Sequence, residues 1–336
     1  MDKKTMKQGI LCFLFLFSLL FFTESVFAST IMGIVYDHQT NALPDVDVEL
    51  QGNTGAFRNR ARTDSTGRYQ FSGLGDGYFT IRAMPFRYDY EEQSQTIYIQ
   101  TLSIAGGQTN DTIIQDFHLA PRKGSLIEYE ASVVFAQEVP SEAKKAYEKA
   151  IAAFSKKQAD EGIAGLKDAI AKFPNYFQAL FQLGKISFFK GEYAEAARLL
   201  VKAADINNKS AMSFFLLGDS LRRLGYNKAA LVALNQAYTM IPSSAQLLLS
   251  LGTVERLEGK YTEAEKYLKQ AQKLSRTENP EIHWQLAHLY GLNLKRYAEA
   301  ADEFEVFLKA RPDAQDAEKI KKLIKEFREK AKTSVR

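Results

Sequence analysis

"LGKISFFKGEYAEAARLLVKAADI" (183–206) returns in altered form as "LGDSLRRLGYNKAALVALNQAYTM" (217–240) and "LGTVERLEGKYTEAEKYLKQAQKL" (251–274), each 34 residues after the last. Four columns keep that period. They are the Leu-Gly pairs Leu183-Gly184, Leu217-Gly218 and Leu251-Gly252; Gly191, Gly225 and Gly259; Ala196, Ala230 and Ala264; and Ala169, Ala203, Ala237 and Ala271. A fixed period of this length marks a stack of supersecondary units, each burying its apolar face against the next. Each column has a mechanical reason. Glycine after leucine lets a neighbouring helix approach closely, the second glycine permits the turn between two helices, and the alanines stand where paired helices cross.

Working outward, the pattern extends to five units over residues 143–312. The first, about 143–176, is degenerate in its first helix but keeps Gly162, Leu166, Ala169 and Pro174. The next three run about 177–210, 211–244 and 245–278. The fifth, about 280–313, has "HWQLAHLYG", then Tyr297, Ala300, Phe304 and Pro312. From Leu286 through "GLNLKRY" (291–297) to Tyr297 the chain is one residue longer than from Leu183 through "FKGEY" (189–193) to Tyr193, so its inter-helix turn should be distorted. With these motifs the region resembles five tetratricopeptide (TPR) repeats, taken as residues 141–313. Residues 314–336 then read as a polar capping helix and tail, with Ile320, Leu323, Ile324 and Phe327 on its inner stripe.

From Ser29 to about Pro121 the period is two. "IMGIVYD" (31–37), "DVDVEL" (45–50), "RYQF" (68–71), "YFTIRA" (78–83), "QTIYIQ" (95–100) and "TIIQDFHL" (112–119) are short and rich in β-branched and aromatic residues. Such strands with regular turn clusters argue for an antiparallel β-sandwich. In "DVDVEL", Val46, Val48 and Leu50 should face the core, and Asp45, Asp47 and Glu49 water. "TDSTGRYQFSGLGDGYFTI" (63–81) invites a phosphate-loop reading through Gly73, Gly75 and Gly77. A phosphate loop needs a helix after its glycines. The residues after Gly77 are "YFTIRAMPF", which alternate like a strand and contain no lysine. The glycines therefore supply turns. Gly33-Ile34-Val35, Leu43-Pro44, Thr63-Asp64, Gly67-Tyr69-Phe71 and Leu74-Gly77-Tyr78 give this half a resemblance to the carboxypeptidase regulatory-like domain, which implies a transthyretin-like, immunoglobulin-like sandwich over 29–120. Residues 121–140 read as a linker, whose "VVF" suggests that it packs against something. The fold expected is thus multidomain β + α: an antiparallel β-sandwich followed by an all-α TPR solenoid with a C-terminal capping helix.

Residues 1–28 read as a secretory signal peptide. Lys3, Lys4 and Lys7 precede the apolar run 10–22, and "VFA" (26–28) offers a small-residue cleavage site. An uncleaved anchor is the alternative, although the run is short for a transmembrane helix. Cys12 is the one cysteine of the chain and lies in that run, so cleavage would leave no thiol chemistry. The reading places the protein outside the cytoplasm, in a bacterial periplasm or outer envelope. The resemblance agrees, because such modules occur at the N-terminus of secreted and outer-membrane bacterial proteins. Residues 29–120 carry 6 basic and 11 acidic side chains, and 121–336 carry 35 and 27, within a chain of net charge +4. The basic excess is interspersed with acids at helical spacing, which describes a solvated helical surface and argues against nucleic-acid binding.

No HExxH, Walker motif or G-x-S-x-G elbow is present. His283 and His288 are five apart, a poor spacing for one metal on one helix face. Asp45, Asp47 and Glu49 alternate on a strand and cannot converge on calcium. Neither catalytic residues nor a metal or cofactor site is expected. The richer surface is the concave groove implied by the TPR resemblance, into which first-helix side chains at i, i+4 and i+7 project. It gives Tyr147; then Phe181, Lys185 and Phe188; then Phe215, Arg222 and Arg223 beside Asp219; then Arg256; and finally Trp284 and His288. Phe188 and Phe215 could equally fill inter-repeat packing. Aromatics and arginine anchor interfaces, so the expected ligand is a peptide or protein segment with apolar anchors and an acidic group. The carboxylate clamp of chaperone-binding TPR proteins is not matched. The expected function is therefore a non-enzymatic adaptor with the sandwich as docking module. A second reading makes the sandwich a binder of envelope polysaccharide through Tyr88 and Tyr90 in "FRYDYEE" (86–92).

Overall fold

A computed structural model describes residues 29–52, 58–86, 88–100, 103–104, 107–108, 112–275, 279–312 and 314–334. The expected signal peptide lies outside the described residues. The chain forms two compact units: one holds the β-strands, the other the helices together with Pro85–Glu92.

In the first unit, β1 (Ser29–Tyr36) alternates between buried and half-buried side chains, as its period-two sequence requires. It pairs antiparallel with β4 (Arg68–Leu74). On its other edge it pairs parallel, first with β9 (Thr112–Ile114) and then with β10 (Phe117–His118). This parallel edge departs from the wholly antiparallel expectation. A strand arriving after so long a connection is free to enter in either direction. The second sheet runs β3 (Arg58–Arg62), β2 (Asp47–Gly52), β5 (Gly77–Met84), β6 (Gln93–Ile99), all antiparallel. β7 (Ser103–Ile104) and β8 (Gly107–Gln108) pair antiparallel with each other. Ile31, Val35, Val48, Leu50, Phe71, Ile81 and Phe117 form the buried interior.

One face assignment needs correction. Asp47, expected in water, is 2% exposed. Its cross-strand neighbour Arg62 covers it, with Nε 3.5 Å from Oδ1. Glu49 is likewise held between Arg60 and Arg82, each at 3.2 Å. The outer face of the second sheet is a ladder of paired charges. The "DSTG" stretch is turn chemistry: the Asp64 carboxylate accepts from the Thr66 N–H, the Thr66 hydroxyl and the Arg68 N–H. Those bonds, led by the one from Arg68, hold its pKa below the usual carboxylate value.

In the second unit the helices are α1 (Leu126–Ser132), α2 (Ser141–Ser155), α3 (Ala159–Lys172), α4 (Phe177–Phe189), α5 (Tyr193–Ile206), α6 (Ala211–Arg223), α7 (Asn227–Met240), α8 (Ala245–Leu257), α9 (Tyr261–Leu274), α10 (Pro280–His288), α11 (Tyr297–Ala310) and α12 (Ala317–Ser334). α2 to α11 form five helix pairs. The close approach expected at Leu-Gly is present: a Cβ on Gly218 would stand 2.6 Å from Leu234 Cγ, and one on Gly252 2.7 Å from Leu268 Cγ. The four alanines of the 169 column are fully buried. In the fifth pair the extra residue is absorbed by a π-helical turn, Leu289–Leu294, that prolongs α10. On α12, Ile320 and Phe327 are buried and Leu323 and Ile324 partly so, which closes the array.

Gly191, Gly225 and Gly259 turn the chain with φ of 79°, 82° and 78°. In the first and fifth repeats lysines stand in that role, Lys157 at φ 61° and Lys295 at φ 57°. A left-handed residue with a Cβ costs about 1–2 kcal/mol, partly offset by the greater chain entropy that glycine loses. Lys157→Gly should therefore stabilise the protein by about 0.5–1 kcal/mol, read as a higher midpoint in urea with unchanged slope.

Residues 121–140 do more than link. Leu126 is fully buried against α6, α7 and α8. The Glu130 carboxylate accepts from the Ser210 hydroxyl (2.6 Å) and the Met212 N–H (3.2 Å) at the start of α6. Gln137 Oε1 accepts from the Phe177 N–H (3.1 Å) at the start of α4. These contacts satisfy amides that a helix N-terminus leaves without partners.

Candidate functional site: the row of first helices

α2, α4, α6, α8 and α10 are the first helices of the five repeats, and they carry every residue expected to line a groove. At the N-terminal end the Tyr147 ring lies 5.2 Å from that of Tyr176, and burial raises the pKa of its hydroxyl. Phe181 stacks on Phe177 at 5.8 Å and is half-buried, as is Lys185. Phe188 meets the rings of Phe189 and Tyr193 edge-on at 5.4 and 5.8 Å. Phe189 beside it is 55% exposed, which makes it an available apolar surface on α4. Phe215, which the sequence left between groove and packing, is 4% exposed and belongs to the core between repeats.

In the middle of the row an acid sits among the arginines. Arg222 Nε donates to Asp219 Oδ1 at 2.6 Å, and Arg223 Nε lies 3.9 Å from the other oxygen. Asp219 thus neutralises part of the positive charge. Arg223 is the more accessible of the two cations, with its side chain 49% exposed and its guanidinium 5.7 Å above the Tyr193 ring. Further along, Arg256 donates to Gln285 Oε1 at 3.2 Å, and burial lowers its pKa. Trp284 lies 4.3 Å from His288 and 5.1 Å from Phe307. Burial also lowers the pKa of His288, so the ring is neutral at pH 7, and Nδ1 donates to the Trp284 carbonyl at 2.8 Å.

The two tyrosines assigned to a sugar platform are placed elsewhere. Pro85–Glu92 leaves the strand-bearing unit and packs with the helices. Tyr90 is 4% exposed, and the Tyr88 ring lies 6.3 Å from Phe189 at the end of α4. Neither offers a free face on the sandwich. An exposed aromatic pair there is Tyr78 and Tyr98, cross-strand neighbours with ring centroids 4.6 Å apart.

The same segment supplies contacts that were not anticipated. Phe86 O accepts from Asn279 Nδ2 (3.1 Å) at the start of α10. The Asp89 carboxylate accepts from the Ser244 hydroxyl (3.2 Å), the N-cap of α8. Asp89 is 3% exposed, and its pKa is raised by burial, which outweighs the nearby Arg122 and the Ser244 bond. The available signal was an acid between two tyrosines in a loop.

Among the described residues no group of three or more His, Cys, Asp or Glu could hold a metal, and no helix is long and apolar enough to cross a membrane.

The fold and the row of first helices define a two-part protein, a small β domain joined to a helical repeat array. Residues 30–119 match the carboxypeptidase regulatory-like domain family, and residues 130–211 and 215–281 match the tetratricopeptide repeat family. The chain carries a carboxypeptidase regulatory-like domain followed by TPR repeats. Similar solved structures include a thermophilic TPR protein of Thermus thermophilus, 24% identical, covering 54% of this chain and 98% of its own, with TM-score 0.41. Another is YrrB, described as a TPR protein with an unusual peptide-binding site, at 20% identity, 54% and 92% coverage and TM-score 0.47. A TPR protein from Parabacteroides merdae is 18% identical, with 57% and 75% coverage and TM-score 0.48. Among curated proteins, none matches this chain.

Proposed function

We propose that the protein is a non-enzymatic adaptor of the bacterial cell envelope, exported by residues 1–28, that binds a peptide or protein segment along its first helices. TPR repeats are a protein-interaction fold, and the sandwich is the docking module of this reading. The observation that carries it is the pairing of available aromatic surface on α4 (Phe181, Phe188 and exposed Phe189) with a half-exposed cation, Arg223, one repeat on. Aromatic and arginine side chains contribute most where they are reached by partner groups that exclude water. A partner with apolar anchors and a carboxylate suits them.

Phe181→Ala combined with Arg223→Glu tests this. Arg222 is left alone because Asp219 already holds it. Cross-linking in envelope preparations, read by mass spectrometry, should show at least about a tenfold loss of the partners captured by the wild type. An unchanged partner set, with helical content and melting intact, would sink the proposal.

A further inference from the structure

The ligand chemistry expected of the row is already present in the chain. Pro85–Glu92, "PFRYDYEE", offers three aromatic side chains and three carboxylates in eight residues. Its contacts place it across the first helices. Tyr88 meets Phe189 at the C-terminal end of α4. The next residue, Asp89, bonds Ser244 at the N-terminal end of α8, and Phe86 bonds Asn279 at the start of α10. Phe86 and Asp89 thus hold the segment at the N-terminal ends of α10 and α8, and between them the Tyr88 ring reaches over the row to the C-terminal end of α4.

We infer that Pro85–Glu92 is an internal stand-in for the partner, docked on the first helices until an aromatic, acidic segment of similar chemistry displaces it. This rests on the adaptor reading, and it adds both the partner's chemistry and a gate on its access. Two features make the docked segment displaceable. The Asp89 carboxylate is buried among Ser244, the Arg122 guanidinium and the Leu126 N–H, and burying a charged carboxylate costs free energy that these groups only partly return. Beside it lies a cavity of about 160 Å³, lined by Asp89, Arg122, Lys123, Ser125 and Ser244, so the fit is incomplete. The segment holds its place through backbone bonds to the chain that follows the strands, from the Glu91 N–H to the Ala120 carbonyl (2.9 Å) and from the Arg122 N–H to the Asp89 carbonyl (2.8 Å), and through its tether. Chain connection gives it an effective concentration on the order of millimolar, which a free partner must exceed in affinity.

The test uses the full chain and a fluorescein-labelled peptide of sequence PFRYDYEE, titrated by fluorescence anisotropy. Tyr88→Ala removes the ring contact with Phe189 and should tighten peptide binding by at least about tenfold over wild type. Asp89→Ala breaks the docking at a second point and should act in the same direction. Adding Arg223→Glu to Tyr88→Ala should abolish the gain, whereas Tyr88→Phe, which keeps the ring, should bind as wild type does. Equal peptide affinity in wild type, Tyr88→Ala and Asp89→Ala, including no binding to any of them, overturns the inference. The adaptor reading can survive that result, because partner capture that depends on Phe181 and Arg223 in the wild type would mean that the partner binds beside a permanently docked segment. Conversely, tighter peptide binding with no partner captured would leave the gate standing and remove the envelope partner.

Discussion

Gly33→Ala should destabilise the β domain by about 3 kcal/mol or more, the upper end of what overpacking a tight interior costs. Glycine is required there by space. A Cβ at Gly33 would stand 2.6 Å from the carbonyl carbon of Gln115 and closer still to its oxygen. Gln115 cannot withdraw, since its N–H donates to the Met32 carbonyl at 2.8 Å. Its carbonyl also accepts from the buried Tyr69 hydroxyl at 2.6 Å. On the far side of the same crossing, the Ile34 N–H donates to the Asp116 carboxylate at 2.8 Å. This is where the partner of β1 changes from β9 to β10, so the added methyl would pry apart the parallel edge of the sheet. Burial pushes the pKa of the Tyr69 hydroxyl up, with the charge of Asp116 adding to it, so the hydroxyl stays a donor at any pH of interest. Hydrogen exchange separates the domains: amides of β1 and β4 should lose protection in Gly33→Ala, while those of α6 and α8 keep theirs. Unchanged protection of β1 would show that the crossing tolerates a Cβ.

The repeat array was legible because its signals are local and recur. Gly184, Gly218 and Gly252 each report one close helix crossing, and the columns fix where each helix begins. Even the awkward fifth repeat announced itself by the length of "GLNLKRY", though the sequence did not say that a π-helical turn would absorb the excess. Lys157 and Lys295 could not be recognised as left-handed residues, because the helices on either side impose that conformation on side chains that would not choose it. In the β domain, alternation identified faces but not partners. Asp47 is buried because the register sets Arg62 opposite it, and register is a property of two strands together. Pro85–Glu92 was the least legible segment. Nothing within eight residues between two strands reports that they pack with helices more than a hundred residues away.

Glu303 provides the second large effect, at the junction of the fourth and fifth repeats. It is 9% exposed on α11, where its two oxygens serve two partners from different helices. His283 Nδ1 on α10 lies 2.5 Å from Oε2, and Lys269 Nζ on α9 lies 3.3 Å from Oε1. Burial alone would raise the pKa of this carboxyl, yet the His283 bond and the Lys269 charge together bring it below the usual value. Glu303→Ala leaves a 7%-exposed imidazole without its acceptor and removes a group shared by three helices. Breaking a buried pair by deleting one partner costs about 3–5 kcal/mol. Lys269 is half-exposed and can turn to water, so a loss of about 2–4 kcal/mol is expected. The pH dependence carries a fixed sign. A carboxyl whose folded pKa is depressed contributes stability that is present above its unfolded value and lost as pH falls through the folded one. The gap in urea stability between wild type and Glu303→Gln should therefore be full at pH 7 and shrink below about pH 4. A gap that stays constant down to pH 3 would mean that the charge on Glu303 contributes nothing and that only its shape and hydrogen bonds hold α9, α10 and α11 together.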